Sequence, residues 1–272
     1  MTDADGILSQ SDVAEAAADL YRAEQERIQV RPTSARYPGM TLADAYRVQD
    51  AVVARKLAAG GRIIGRKIGL TSKAMQRAMH IDEPDYGTLL DDMRFEDGGV
   101  IEAARFTDPR IEVELAFVIG ERLGGTDLTV DDVLAATRHA APALELIAAR
   151  SYRVDPETGR PRGLLDTVSD NAASAGIVLG APFDPRDVDL PWCGAVLRRN
   201  GVVEETGLAA GVLGHPALGV VWLARRFAAH GIALEPGQIV LAGSFTRPIE
   251  VAAGDAVDAD FGPLGSVGCR FA

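Results

Sequence analysis

Between Arg110 and Ile119 the sequence RIEVELAFVI sets Ile111, Val113, Leu115, Phe117 and Ile119 on one face of a strand and Glu112, Glu114, Ala116 and Val118 on the other. Both faces finish apolar, so the two carboxylates point into a covered space rather than into water. Glutamates two positions apart on one strand stand about 6.5–7 Å apart at the backbone, and flexible side chains can converge from there on a single cation. An exposed edge strand with two solvated acids is the alternative, because Glu is almost never buried unless it is paired.

The same pattern reading predicts four helices. SDVAEAAADLYRAEQERIQV opens with Ser11 as cap, and TLADAYRVQDAVVARKLAAGG has a Thr41/Asp44 capping box and a Gly60-Gly61 stop. TVDDVLAATRHA repeats the box with Thr129 and Asp132, and HPALGVVWLARRFAAHG has Pro216 in its first turn and Gly231 at its end. Strands are predicted in GRIIGRKIGLT, RIEVELAFVIG, APALELIAA, NAASAGIVLG, CGAVLRRNG, QIVLAGSF, IEVAAG, AVDADFG and SVGCRFA, which Gly, Pro, Asp and Asn separate. Helices gather early and strands late, without regular βαβ alternation, so the fold class is α+β with a curled mixed or antiparallel sheet. The chain divides into a mainly helical N-terminal region, residues 1–65, and a β-rich core, residues 66–272.

A length of 272 residues allows one large domain, and 47% hydrophobic with 25% charged residues is ordinary for a globular protein. The net charge of -11 and the absence of any long Lys/Arg cluster argue against a nucleic-acid partner. The N-terminus MTDADGILSQ has no secretory pattern, and no apolar run approaches the ~20 residues of a membrane span, so a cytoplasmic protein is expected. Cys193 and Cys269 are too few for a disulfide framework and read as core thiols.

Further candidates for chemistry follow. Glu145 is the one charge in the apolar run PALELIAA, and a strand there sets a third carboxylate beside the first two. Oxygen-only ligation favours Mg²⁺ or Mn²⁺, whereas no His/Cys spacing suits zinc. Strand alternation places Lys67 with Ile63 and Gly65, facing inward with a lowered pKa or snorkelling to the surface. Asp85, in the loop-like DEPDYGTLLDDM, orients a water or caps a turn. His80, His139, His215 and His230 form no triad order and read as surface or helix-end residues, and the glycines of GLAAGVLGHPALG are not in a dinucleotide-binding arrangement.

GRKIGLTSKAMQ, EPDYGTLLDDM, RIEVELAFVIG, ALELI, DTVSDNAASAG, NGVVEETGLAAGVLGHP, GQIVLAGSFTRP and GSVGCRF together resemble the 2-oxo-hept-4-ene-1,7-dioate hydratases. Those enzymes form, with 2-hydroxypentadienoate hydratases and oxalocrotonate decarboxylases, the hydratase/decarboxylase family of the fumarylacetoacetate hydrolase superfamily. The likeness runs in order from about Tyr21 to the C-terminus. It implies a mixed β-sheet roll or barrel, Mg²⁺ or Mn²⁺ held by Glu112, Glu114 and Glu145, an acid/base Lys67, an assisting Asp85, and a homo-oligomer, decameric in relatives of this kind. Leu70, Thr71 and Ser72 would line the substrate. Arg247, in the turn GSFTRP between two predicted strands, grips the second carboxylate of a dioate or is a surface arginine on a hairpin. The implied reaction is hydration of a 2-hydroxy-2,4-dienoate in aromatic-compound catabolism. Decarboxylation of 2-oxo-3-hexenedioate, hydration of 2-hydroxypentadienoate, acylpyruvate hydrolysis and a non-catalytic partner role are the rivals. Some relatives carry Ser directly after D-N-A, where this chain has Ala173 and then Ser174, which leaves a serine role open.

Overall fold

The computed structural model describes residues 6–78 and 81–272, so His80 lies outside the described residues. Helix α1 spans Gln10–Glu26, α2 Thr33–Arg36, α3 Leu42–Ala58, α4 Lys73–Ala78, α5 Val130–Ala136, α6 Leu164–Ser169 and α7 Pro216–Ala228. Predicted caps hold at α3 and α5, where Thr41 with Asp44 and Thr129 with Asp132 close reciprocal boxes. At α1 the cap moves to Ser9, because Asp12 is the residue placed to return its hydrogen bond, and Arg27 in the left-handed region (φ 58°) ends the helix before Val30. His215 Nδ1 accepts from Ala217 N–H at 3.1 Å and starts α7. Val13, Ala16, Ala17 and Leu20 of α1 pack on Val48 and Val52 of α3, giving the helical portion its own small core.

The strands are β1 Ile63–Gly69, β2 Asp85–Leu90, β3 Arg94–Phe95, β4 Val100–Ile101, β5 Arg110–Ile119, β6 Thr137–Ile147 and β7 Ser174–Leu179. They continue with β8 Gly194–Arg199, β9 Val202–Leu208, β10 Ile239–Leu241, β11 Ile249–Glu250, β12 Ala256–Asp260 and β13 Ser266–Phe271. The larger sheet runs β2-β1-β10-β5-β6-β7-β3 with β11 beside β5, and the smaller runs β4-β13-β12-β8-β9. The larger sheet is mixed, since β1 pairs with β10 and β3 with β7 in parallel while its other pairs are antiparallel.

Strand β5 carries both cores. Ile111, Val113, Leu115, Phe117 and Ile119 join α7 and the smaller sheet in the main hydrophobic cluster. Ala116 and Val118, beyond the glutamates on the other face, join Leu89, Leu90, Met93, Ala143, Ile177, Ile239 and Leu241 in a second cluster. The covered carboxylate face expected from alternation is therefore present.

Several expectations needed correction. The segment read as a loop at Asp85 is strand β2, and residues 137–140 belong to β6 rather than to the third helix, because His139 pairs with Val118. Strand β7 starts at Ser174, not Asn171: Asn171, Ala172 and Ala173 have φ of 49°, 50° and 59°, a left-handed run that cannot join a sheet. Helices α2, α4 and α6 and strands β3, β4 and β9 were not anticipated. Cys193 and Cys269 are buried free thiols.

A candidate metal and acid-base centre inside the curled sheet

The β5/β6 register sets Glu112 directly opposite Glu145, and Glu114 opposite Ala143. One carboxylate oxygen from each of Glu112, Glu114 and Glu145 lies within 4.8 Å of the others. Glu145 is fully buried, Glu114 is 1% exposed, and Glu112 is half-buried.

Lys67 comes to these glutamates from three strands away, since β1, β10, β5 and β6 are successive neighbours. Three interstrand steps of about 4.8 Å make roughly 14 Å on a flat sheet, beyond the reach of a lysine. Yet Lys67 Nζ lies 3.2 Å from Glu145 Oε1, so the sheet is rolled with these side chains inside. Asp85 opens β2 opposite Gly69 and is 2% exposed. A β-carbon on Gly69 would collide with Asp85 Oδ1 and stand 3.5 Å from Lys67 Nζ, so a glycine is required between the two. On Gly87, opposite Lys67, a β-carbon would come within 2.6 Å of Asn171 O and Ser174 Oγ, which packs the left-handed turn against the same wall.

Four carboxylates face one ammonium here, and the balance is unfavourable without more positive charge. Burial raises the Glu112 carboxyl to about 7, with Glu145 adding to it, and burial with Glu145 raises Glu114 well above its ordinary value. Burial also raises Asp85, against the pull of Lys67. For Lys67, burial opposes the ammonium but the carboxylates of Glu145, Asp85, Glu112 and Glu114 outweigh it, so its pKa is raised. This corrects the expectation of a lowered value, and the side chain, 4% exposed, does not snorkel.

Glu114 Oε2 accepts the Gly243 N–H at 2.8 Å, whereas Glu114 Oε1, Glu145 Oε2 and Asp85 Oδ1 are buried with no hydrogen-bond partner, and Glu145 Oε1 meets only the Lys67 ammonium. Buried carboxylate oxygens left bare cost free energy. A divalent cation among hard oxygen donors satisfies them, so the residues present fit such an ion.

Leu70, Thr71 and Ser72 follow β1 directly. Leu70 has φ 56°, an uncommon backbone state for a bulky residue, and its carbonyl accepts from Gln76 Nε2 at 2.8 Å. Thr71 is buried against Gly243, the residue that binds Glu114, and Ser72 O accepts from Gln76 N–H at 2.9 Å at the start of α4. Arg247 does not share this setting: its side chain is 81% exposed and pairs with Glu205 at 2.7 Å. This exposed position, on the loop between β10 and β11, accords with the surface alternative rather than with a dry pocket. Ser174 Oγ is buried with no hydrogen-bond partner beside Gly87, whereas residue 173 is an alanine. His139 is half-buried in β6, where burial lowers its pKa, and His215 caps α7.

A family model described as the fumarylacetoacetate (FAA) hydrolase C-terminal domain matches residues 70–272, beginning three residues after Lys67. The chain is 55% identical over 256 residues to a 2-oxo-hept-4-ene-1,7-dioate hydratase of Escherichia coli, covering 94% of this chain and 96% of the relative. It is 38% identical over 258 residues to a 2-keto-4-pentenoate hydratase of Paraburkholderia xenovorans, covering 94% of each. Among solved structures, a 4-oxalocrotonate decarboxylase from Pseudomonas putida G7, complexed with magnesium and adipate, superposes with a TM-score of 0.92 at 34% identity, over 98% of this chain and all of the other.

Proposed function

The chain belongs to the fumarylacetoacetate (FAA) hydrolase family, and we propose that it is a divalent-metal-dependent hydro-lyase that hydrates 2-oxo-hept-4-ene-1,7-dioate to 4-hydroxy-2-oxoheptanedioate. The observation that carries this reading is the convergence of Glu112, Glu114 and Glu145 within 4.8 Å, with Lys67 Nζ 3.2 Å from Glu145. The 55% identity to a hydratase of that name supports the choice of substrate.

Mg²⁺ or Mn²⁺ held by the three glutamates would supply positive charge to neutralise the anionic C2 oxygen and carboxylate of a 2-hydroxy-2,4-dienoate. Lys67, kept as an ammonium by its carboxylate neighbours, holds a proton at Nζ for delivery to C5 of the dienol. That transfer, with loss of the C2 hydroxyl proton, gives a 2-oxo-3-ene; water then adds across C3=C4, its hydroxyl going to C4 and its proton to C3. Asp85 Oδ1, buried and without a partner, is the acceptor that orients the incoming water. The apolar wall of Leu89, Ala116, Ala143, Ile177 and Leu241 excludes bulk solvent and strengthens these charge interactions. Thr71, packed on Gly243 beside Glu114, and its chain neighbours Leu70 and Ser72 border the substrate.

Decarboxylation of 2-oxo-3-hexenedioate is the second reading, favoured by the TM-score of 0.92 to a 4-oxalocrotonate decarboxylase. The same residues serve both reactions, so the product decides. Purified protein with Mg²⁺ is incubated with five-, six- and seven-carbon dienols and the products are weighed by mass spectrometry. Gain of one water on the seven-carbon dioate is expected; loss of CO₂ from the six-carbon diacid as the fastest reaction would replace the hydratase assignment. The reading extends to a cytoplasmic homo-oligomer, for which ten chains is the number to test by light scattering. Two buried free thiols accord with a reducing compartment, and among the described residues no helix is long and apolar enough to cross a membrane.

A further inference from the structure

A dioate brings a second carboxylate into the site, and with Arg247 exposed the expected cation for it is lost. The segment between β6 and α6 carries four other arginines, Arg150, Arg153, Arg160 and Arg162, of which Arg160 is exposed. Arg150 is fully engaged: its backbone N–H and Nε donate to the Asp170 carboxylate at 2.9 and 2.5 Å, Nη1 to Ser174 O at 2.9 Å, and Nη2 to Asp170 O at 2.6 Å. Arg153 is 43% exposed and pairs with Asp108. Arg162 is half-buried as a residue but only 8% of its side chain is exposed, and its Nε has no hydrogen-bond partner. Its ion pair, to Asp170 Oδ2, is long at 3.5 Å, and that oxygen already accepts the Arg150 N–H.

Position adds to this. Asn171, next to Asp170, exchanges two hydrogen bonds of 2.8 Å with the backbone of Thr88, which fixes the Arg150–Asp170–Arg162 cluster against β2. Asp85 opens that strand, and the Arg162 charge acts on the Asp85 carboxyl. A buried guanidinium with spare donors is costly unless something supplies an acceptor, and a carboxylate matches its planar fork with two hydrogen bonds.

We propose that Arg162 recognises the far carboxylate of a dicarboxylate substrate and so sets the preference for dioates over monoacids. The inference rests on the hydratase reading for the identity of the near end of the ligand, but its test does not need turnover. Heptanedioate and heptanoate, which cannot react, are titrated calorimetrically into the Mg²⁺-loaded protein. Wild type is expected to bind heptanedioate about 10-fold or more tightly than heptanoate, the equivalent of one charge-assisted hydrogen bond. Arg162→Met should reduce that ratio to near one, and Arg162→Lys should reduce it in part. A ratio unchanged in both variants, or a wild type that does not discriminate, overturns the proposal. If Arg162→Met fails to fold by thermal melting, Arg162→Lys decides alone: a ratio lowered at least about threefold supports the role, and an unaltered ratio refutes it. A preference that depends on Arg162 in a protein that hydrates no dienoate would instead remove the hydratase reading and leave the carboxylate site standing.

Discussion

Asp44 and Glu145 are both completely buried carboxylates, yet the fold treats them in opposite ways. Asp44, at the start of α3, accepts from the backbone N–H groups of Ile7, Leu8 and Thr41 at 3.0, 3.1 and 3.0 Å. Thr41 Oγ1 at 3.0 Å and Arg47 Nη1 at 2.9 Å complete its shell. Burial works against its charge, but these donors win and hold its pKa below the ordinary value. Glu145 touches the Lys67 ammonium at 3.2 Å and accepts no hydrogen bond at either oxygen, while its neighbours Glu112 and Glu114 are pushed up. Burial alone therefore does not mark a functional acid. A carboxylate that the protein satisfies is structural, and a group of carboxylates that it leaves bare is prepared for a ligand.

The largest test of that contrast is Asp44→Ala. It strands five donors at a buried helix start, and a loss of about 3–5 kcal/mol in denaturant unfolding is expected. A loss under about 1 kcal/mol would erase the distinction. Next, Lys67→Ala should still fold as the Mg²⁺-loaded protein, with the cation compensating the buried carboxylates, and lower kcat by ~10² or more, about 2.7 kcal/mol of barrier. An unaltered kcat would remove Lys67 from proton transfer.

The two regions should also respond oppositely to pH. Asp44 has a depressed folded pKa, so its stability is present above the unfolded value of about 3.9 and disappears as pH falls through the lowered one. Glu112 has a raised folded pKa, about 7, so its contribution is complete below the unfolded value, about 4.3, and is lost as pH rises through 7. Metal-free protein should melt at a lower temperature at pH 8 than at pH 5, and saturating Mg²⁺ should remove most of that difference by favouring the deprotonated glutamates. A flat metal-free profile speaks against the unsatisfied cluster. The smallest effect is expected at Arg247→Ala, where an exposed pair with Glu205 should be worth within about 0.5 kcal/mol. A selective loss of dioate binding there would return Arg247 to the site.

Period-2 alternation made β5 legible, because a strand with core on both faces leaves two glutamates with nowhere wet to go, and β6 followed from Glu145. Strand β2 was hidden by its composition. Pro84, Asp85 and Gly87 read as turn residues, but Asp85 is inward chemistry and Gly87 is the clearance for Asn171 and Ser174. Ala172 and Ala173 carry no sign of a left-handed backbone, since alanine favours helices; only the packing around Asn171 reveals it. Lys67 was placed on the correct face, but its pKa depends on Asp85 and three glutamates that the chain brings together from other strands. Arg162 had no local mark at all in GRPRGLL, because its burial is set by contacts with Asp170 eight residues later.

The central claim is that Glu112, Glu114 and Glu145 hold a divalent cation required for turnover. It is tested most directly by following loss of 2-hydroxyhepta-2,4-diene-1,7-dioate absorbance with chelator-treated protein before and after Mg²⁺ is returned. The account predicts a rate at least ~10²-fold lower without metal and full recovery with it. A metal-free protein that hydrates the dienol at the full rate would contradict it.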